Sequence, residues 1–354
     1  MAMSPAKAKP LPGRVMFLAD CGPEVGGGHV MRCLSLARAL LDLGATCAFV
    51  ATPAAGKVLD AFADPRIQRL PADGAPLHAL VDAARDHAAA WNANVGVVDH
   101  YGLSGEQEAR IAIPIATIDD LADRPHRCML LIDPSLGRET RDYEHLTPPG
   151  ALTLTGPAYA LLAPAYAEAR GGAIATRRPQ EPPRRLLVSL GLMDLRGITG
   201  RVLHRLQPLP DGLEMDVVVG GQASSLTWLR HLAEADPRVT LHVDTQDMAS
   251  LIAAADIGIG AGGSSSWERA VLGLPSISLV LADNQRALAL EMDHRRACLA
   301  VDARGESFGA QLSGAFGRLL SDGELRKRLS ERSAALCDGQ GAARAAKAVL
   351  ELVA

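Results

Sequence analysis

The residues best suited to chemistry stand where short apolar runs give way to glycine. Gly26-Gly27-Gly28-His29 follows the first such run and opens a helical pattern. Glycines there let a ligand approach the backbone closely. A helix start offers free N–H groups and the positive end of the dipole. A histidine at that place is pushed toward its neutral form, because the dipole disfavours a second positive charge. Neutral imidazole accepts a proton, so His29 is a candidate general base, with Gly27 and Gly28 as candidate substrate contacts. The plain alternative is a capping or packing histidine. The spacing is neither G-x-G-x-x-G nor a P-loop: Met31 stands where a glycine would be needed, and no Gly-Lys-Ser/Thr is present.

Val97-Val98-Asp99-His100-Tyr101-Gly102 ends another apolar run. In open α/β sheets that strand edge faces the ligand crevice. Asp99 could orient a histidine or a substrate hydroxyl, and Tyr101 could hydrogen-bond a sugar. The alternative is a strand-end turn with Tyr101 packing its ring. Ile118-Asp119-Asp120-Leu121-Ala122 carries a similar acidic pair, better suited to a solvated turn than to a metal. Gly260-Ala261-Gly262-Gly263-Ser264-Ser265-Ser266-Trp267-Glu268 follows a later run and opens a helix. Backbone N–H groups and hydroxyls at Gly263, Ser264 and Ser265 could cradle phosphate, and Glu268 could hold ribose hydroxyls. The competing role is capping, with Glu268 completing a capping box from Ser265. Gly191-Leu192-Met193-Asp194 is a second strand-end turn in the same half, so Gly191 and Asp194 join the nucleotide candidates. Asp283-Asn284-Gln285 adds Asn284 and Gln285 as substrate contacts, against plain N-capping of the next helix.

The elements that must position these residues alternate along the whole chain. Strands are expected at 14–19, 47–51, 67–70, 95–99, 115–118, 129–132 and 152–154, with a loop at 22–28 and helices at 30–43 and 76–91. Gly44 stops the first helix in the usual position after its end. Residues 171–172 and 177–183 are rich in glycine, proline and charge, which marks a linker at 169–183. The alternation restarts with strands at 185–190, 215–219, 239–243, 256–259 and 276–281, helices at 247–255 and 266–272, and a mostly helical 324–353. The pattern predicts an α/β fold with two Rossmann-like domains, at 14–168 and 184–354, facing a cleft. Clefts between domains are preferred ligand sites.

Composition agrees with two such domains. The 354 residues are roughly two domains' worth at about 150 residues each. With 48% hydrophobic and 21% charged residues the chain can bury a core in each half, which excludes disorder as its main state. A formal charge of -4 offers no basic face for nucleic acid. Aromatics at 3% leave little for base stacking. The six cysteines form no C-x-x-C pair, so reduced, packed thiols are expected, with no metal and no cofactor. Lys7 and Lys9 are not followed by a long apolar run, and no stretch approaches the ~20 residues of a membrane span. The expectation is a cytoplasmic protein, monomeric, with no membrane partner.

Taken in order, five segments resemble a known family. They are Gly-Gly-Gly-His-Val-Met-Arg-Cys-Leu (26–34), Val-Val-Asp-His-Tyr-Gly-Leu (97–103), Ile-Asp-Asp-Leu-Ala-Asp-Arg-Pro-His (118–126), Tyr-Ala-Leu-Leu (159–162) and Ala-Asp-Asn-Gln (282–285). Together they resemble the UDP-sugar hydrolases of pseudaminic acid biosynthesis, a nonulosonic acid route that serves flagellin glycosylation. The resemblance runs over nearly the whole chain. It implies the glycosyltransferase-B architecture and removal of UDP from UDP-2,4-diacetamido-2,4,6-trideoxy-β-L-altropyranose. It also implies His29 as general base, Tyr101 and Asn284 at the sugar, the Gly263–Ser265 loop at the nucleotide and Glu268 at the ribose. Water then attacks the anomeric carbon directly, so inversion is implied.

Two positions depart from that pattern. Leu192 stands where Gly-Gly-x-Asp is usual, and Ala163 stands where Leu-Leu-Arg-Pro is common. The rival readings are a glycosyltransferase of the same architecture, a non-hydrolysing UDP-sugar epimerase and a non-catalytic nucleotide-sugar sensor.

Overall fold

The computed structural model describes residues 13–22, 25–74 and 76–353. Lys7, Lys9 and residues 23 and 24 of the expected first loop lie outside the described residues. The first sheet holds β1 (Arg14–Ala19), β2 (Thr46–Ala51), β3 (Gln68–Pro71), β4 (Val95–Asp99), β5 (Ile115–Ile118), β6 (Leu130–Asp133) and β7 (Leu152–Thr155). Its order is β3-β2-β1-β4-β5-β6-β7, parallel throughout. Between and after these strands run α1 (Gly28–Asp42), α2 (Pro53–Phe62), α3 (Leu77–Ala90), α4 (Gly105–Arg110) and α5 (Pro164–Thr176). The second sheet holds β8 (Arg185–Ser189), β9 (Glu214–Val219), β10 (Val239–Val243), β11 (Ile257–Ala261), β12 (Ser276–Val280) and β13 (Leu299–Asp302). Its order is β10-β9-β8-β11-β12-β13, also parallel. Its helices are α6 (Ile198–Leu206), α7 (Leu226–Ala235), α8 (Met248–Ala254), α9 (Ser265–Val271), α10 (Asp283–His294), α11 (Phe308–Ser321), α12 (Gly323–Ala334) and α13 (Gly341–Glu351).

Continuous apolar runs make these strands because both faces of each sheet are covered. Val15, Phe17 and Ala19 enter one core with α1 and α2, while Met16 and Leu18 enter another with α3. Leu186 and Val188 likewise split from Leu187 in the second sheet. Strand order reverses at β1/β4 in one sheet and at β8/β11 in the other. In doubly wound sheets the crevice for a ligand opens at that reversal. The loops after β1, β4, β8 and β11 are the ones that carry the chemical motifs.

Several boundaries differ from those expected. Helix α1 begins at Gly28 rather than at residue 30, which puts His29 in its first turn. Strand β13 was not legible as a strand. The stretch 324–353 is mostly helical as expected, as two helices, and the second leaves its own domain. Ala342, Ala345, Ala346 and Val349 of α13 pack into the core around α1. The expected linker 169–183 begins inside α5, whose Tyr166 and Ala173 are buried against the second domain. An apolar helical stripe shows in sequence; the domain that receives it does not.

Candidate active site

The first wall of the cleft is built at the β1/β4 reversal. β4 ends at Asp99, fully buried behind α1. His29 and Arg32 lie three residues apart on α1 and so share one face. His29 Nδ1 lies 2.5 Å from Asp99 Oδ1. Arg32 donates from Nε to Asp99 Oδ2 at 2.6 Å and from Nη2 to Oδ1 at 2.7 Å. Burial works to raise the Asp99 carboxyl, but Arg32 and His29 beside it hold it well below the usual carboxylate range. An ionised Asp99 accepts the Nδ1 hydrogen. The other ring nitrogen, Nε2, is then the lone-pair acceptor on a side chain that lines the cleft.

The network continues toward the second domain. Arg32 Nη1 donates to Asp120 Oδ2 at 2.7 Å, and the Tyr101 hydroxyl donates to Asp120 Oδ1 at 2.9 Å. Burial first, and Asp120 next, push the Tyr101 hydroxyl well up, so it stays a donor. The Tyr101 and His29 rings meet edge to face, centroids 4.5 Å apart. Asn284 Nδ2 then donates to the Tyr101 hydroxyl at 2.9 Å, across the cleft.

The second wall is uncharged where it faces the cleft. Gly262, Gly263 and Ser264 follow β11, with Asn284 and Gln285 at the start of α10. Gln285 holds its own loop by accepting from the Leu281 N–H at 3.0 Å. The walls come close: a Cβ on Gly28 would sit 3.6 Å from Ser264 Oγ. Tyr101, Asn284, Gln285, Gly28, His29, Gly263 and Ser264 therefore gather around one cleft, with Asp99 directly behind His29.

Other expected contacts lie elsewhere. Gly27 caps α1 and faces Leu192 and Val58, each 3.4 Å from where its Cβ would be. Leu192 thus crosses between the domains and packs on the first core, which accounts for an apolar side chain at that turn. Gly191 has φ +103°, a conformation that favours glycine. The Asp194 carboxylate is 1% exposed and fully occupied within its own domain. It accepts from the Thr199 N–H at 2.8 Å, the Ser225 N–H at 3.1 Å and the Ser225 hydroxyl. In this structure the carboxylate anchors the loop. Ser265 turns inward, donating to the Ala261 carbonyl at 3.4 Å. Glu268, half-buried, lies beside Tyr166 of α5, and burial pushes its carboxyl up to about 7. Arg32 and Asp120 were not among the candidates. The only sequence signal for Arg32 is its i+3 spacing from His29, and Asp120 read as a turn.

Among the described residues no group of three or more His, Cys, Asp or Glu side chains could hold a metal ion. All six cysteines are unpaired. No described helix is long and apolar enough to cross a membrane.

No family profile matches the chain. It is 23% identical over 244 residues to the UDP-2,4-diacetamido-2,4,6-trideoxy-beta-L-altropyranose hydrolase of Campylobacter jejuni, covering 68% of this chain and 81% of that protein. It is 30% identical over 192 residues to the spore coat polysaccharide biosynthesis protein SpsG of Bacillus subtilis, 52% of this chain and 54% of that one. The resemblance read from the five segments is thus matched by sequence similarity to the hydrolase over about two thirds of the chain. Among solved structures, MnaA of S. aureus with UDP superposes with a TM-score of 0.66 at 13% identity, covering 96% of this chain and 97% of that one. MurG of Acinetobacter baumannii gives 0.63 at 16%, covering 96% and 100%. These likenesses establish the fold, the two-domain glycosyltransferase-B architecture.

Proposed function

We propose that the chain hydrolyses a UDP-linked 2,4-diacetamido-2,4,6-trideoxyhexose, releasing UDP and the free sugar. Similarity to the Campylobacter jejuni hydrolase supports the coarser role, nucleotide-sugar processing in sugar biosynthesis. The observation that carries the finer reading is the Asp99–His29 pair, 2.5 Å apart on the cleft wall opposite Asn284.

Water bonds to the anomeric carbon as the bond from that carbon to the phosphate oxygen breaks. His29 Nε2 takes the water proton, and the electron pair leaves with UDP. Asp99 fixes the tautomer and stabilises the imidazolium that forms. Arg32 keeps Asp99 ionised and ties it to Asp120. Tyr101 and Asn284 orient the sugar, and the Gly262–Ser264 loop receives the diphosphate. Attack opposite the leaving group inverts the carbon.

The test is turnover of the UDP-sugar in 18O-water, followed by NMR and mass spectrometry. The label is expected in the free sugar and not in UDP. UDP release that waits for a sugar or lipid acceptor would instead make the chain a transferase.

A further inference from the structure

Arg269 is a buried cation that the proton-transfer geometry does not use. It stands on α9 and is 3% exposed. Its side chain runs across β11, where a Cβ on Gly260 would overlap the guanidinium at 2.1 Å. The strand therefore carries glycine where the cation passes. Nη2 donates to the Ala261 carbonyl at 2.8 Å and to Ser266 Oγ and Ser278 Oγ at 3.2 Å each. Nη1 donates to Ser265 Oγ at 3.2 Å, and Nε is buried without a partner. Every one of these bonds goes to a carbonyl or a hydroxyl, and none to a carboxylate.

The one carboxylate acting on it is Glu268, which burial pushes up to about 7, so near neutral pH the chain balances this guanidinium only in part. A buried charge left partly unbalanced is costly, and a further anion nearby would offset that cost. The turn that Arg269 grips, Ala261 to Ser266, is the turn whose Gly262, Gly263 and Ser264 line the cleft. Ser264 makes no capping bond of its own. We infer that Arg269 is the charge that favours the diphosphate of the nucleotide-sugar, acting as a positioning residue through this turn rather than by touching the ligand. The inference rests on the UDP-sugar reading above. Burial favours such an action at a distance, because a charge inside the wall is less screened by salt than one on the surface.

The experiment compares Arg269→Met, Arg269→Lys and the unaltered protein by calorimetry with UDP and with uridine, and by thermal unfolding without ligand. Arg269→Met is expected to bind UDP about tenfold more weakly, the scale of one charge at an effective dielectric of about 20. Uridine binding is expected to stay level and Arg269→Lys to recover most of the UDP loss, whether or not the unliganded melting temperature falls with the lost bonds to the turn. A merely structural role predicts a lower melting temperature with UDP and uridine weakened alike, and that result overturns the inference. So does unchanged UDP affinity in a folded Arg269→Met. Failure of the unaltered protein to bind UDP at all would instead overturn the nucleotide reading, and this inference with it.

Discussion

The two domains share one topology and present opposite chemistry to the cleft. At the β1/β4 reversal the first domain shows His29, Arg32, Tyr101 and Asp120, charged and proton-carrying groups joined to Asp99 buried behind them. At the β8/β11 reversal the second domain shows glycine, serine and amide, and keeps Asp194 and Arg269 behind that surface, with Glu268 half-buried beside α5. The same strand order thus supports two kinds of wall. On the proposed reading, the wall that moves a proton fixes its charges against each other at and just behind the surface, and the wall that holds a charged leaving group sets neutral donors in front, with charge felt through them. The difference teaches that a doubly wound sheet fixes where a site opens and leaves its chemistry to the loops.

The comparison breaks first at His29. His29→Asn keeps a polar side chain but cannot take the water proton. A fall in kcat of about 10²–10⁴-fold is expected with UDP affinity kept, since the proposal assigns the nucleotide to the other wall. Normal turnover would remove the base from the first domain, and loss of UDP binding would make His29 structural. Asp99→Asn comes next. It leaves Arg32 buried without its main carboxylate and frees the His29 ring to take the other tautomer. Activity should fall toward that of His29→Asn, and denaturant unfolding should show a loss of about 3–5 kcal/mol, the cost of breaking a buried pair. A stable, active Asp99→Asn would mean that the first wall is not one unit.

Asn284→Ala sharpens the comparison at the point where the walls meet. It removes the bond to Tyr101 and the proposed contact to the sugar. The KM is expected to rise about tenfold, one to two hydrogen bonds' worth, with a smaller change in kcat. Steady-state kinetics on the UDP-sugar reads it. A collapse of kcat at constant KM would put Asn284 with the chemical wall instead.

The strands and the cleft were legible because a doubly wound sheet writes itself as apolar run, glycine turn and helix. His29, Asp99, Tyr101, Ser264 and Asn284 all stand at strand or helix ends, where that rule looks for them. Arg32 was missed because an arginine inside an amphipathic helix looks like a solvated face; only the packing of α1 on β4 buries it. Asp194 and Glu268 make contacts that the sequence hides for the reverse reason. Both stand at motif positions, but Asp194 turns back to its own loop and Glu268 faces α5, contacts between residues far apart in sequence. The return of α13 to the first domain was hidden in the same way.

Glu268 supplies the smallest effect and a test of sign. Burial pushes its carboxyl up to about 7, against the pull of Arg269 and Tyr166. A carboxyl raised on folding binds its proton more tightly in the native chain than in the unfolded one. Its contribution to stability is then fully present at pH below the unfolded value, and it falls as pH rises to about 7, levelling above that. Glu268→Gln keeps the shape without the charge and should remove that slope. Urea unfolding at pH 4 should find the two proteins alike, and at pH 8 the variant should be more stable by about 1–3 kcal/mol. The opposite sign at pH 8 would mean that Glu268 is held ionised by its neighbours, as Asp99 is. The second domain would then hide a charged network of the first domain's kind, and the contrast between the walls would be one of exposure rather than of chemistry.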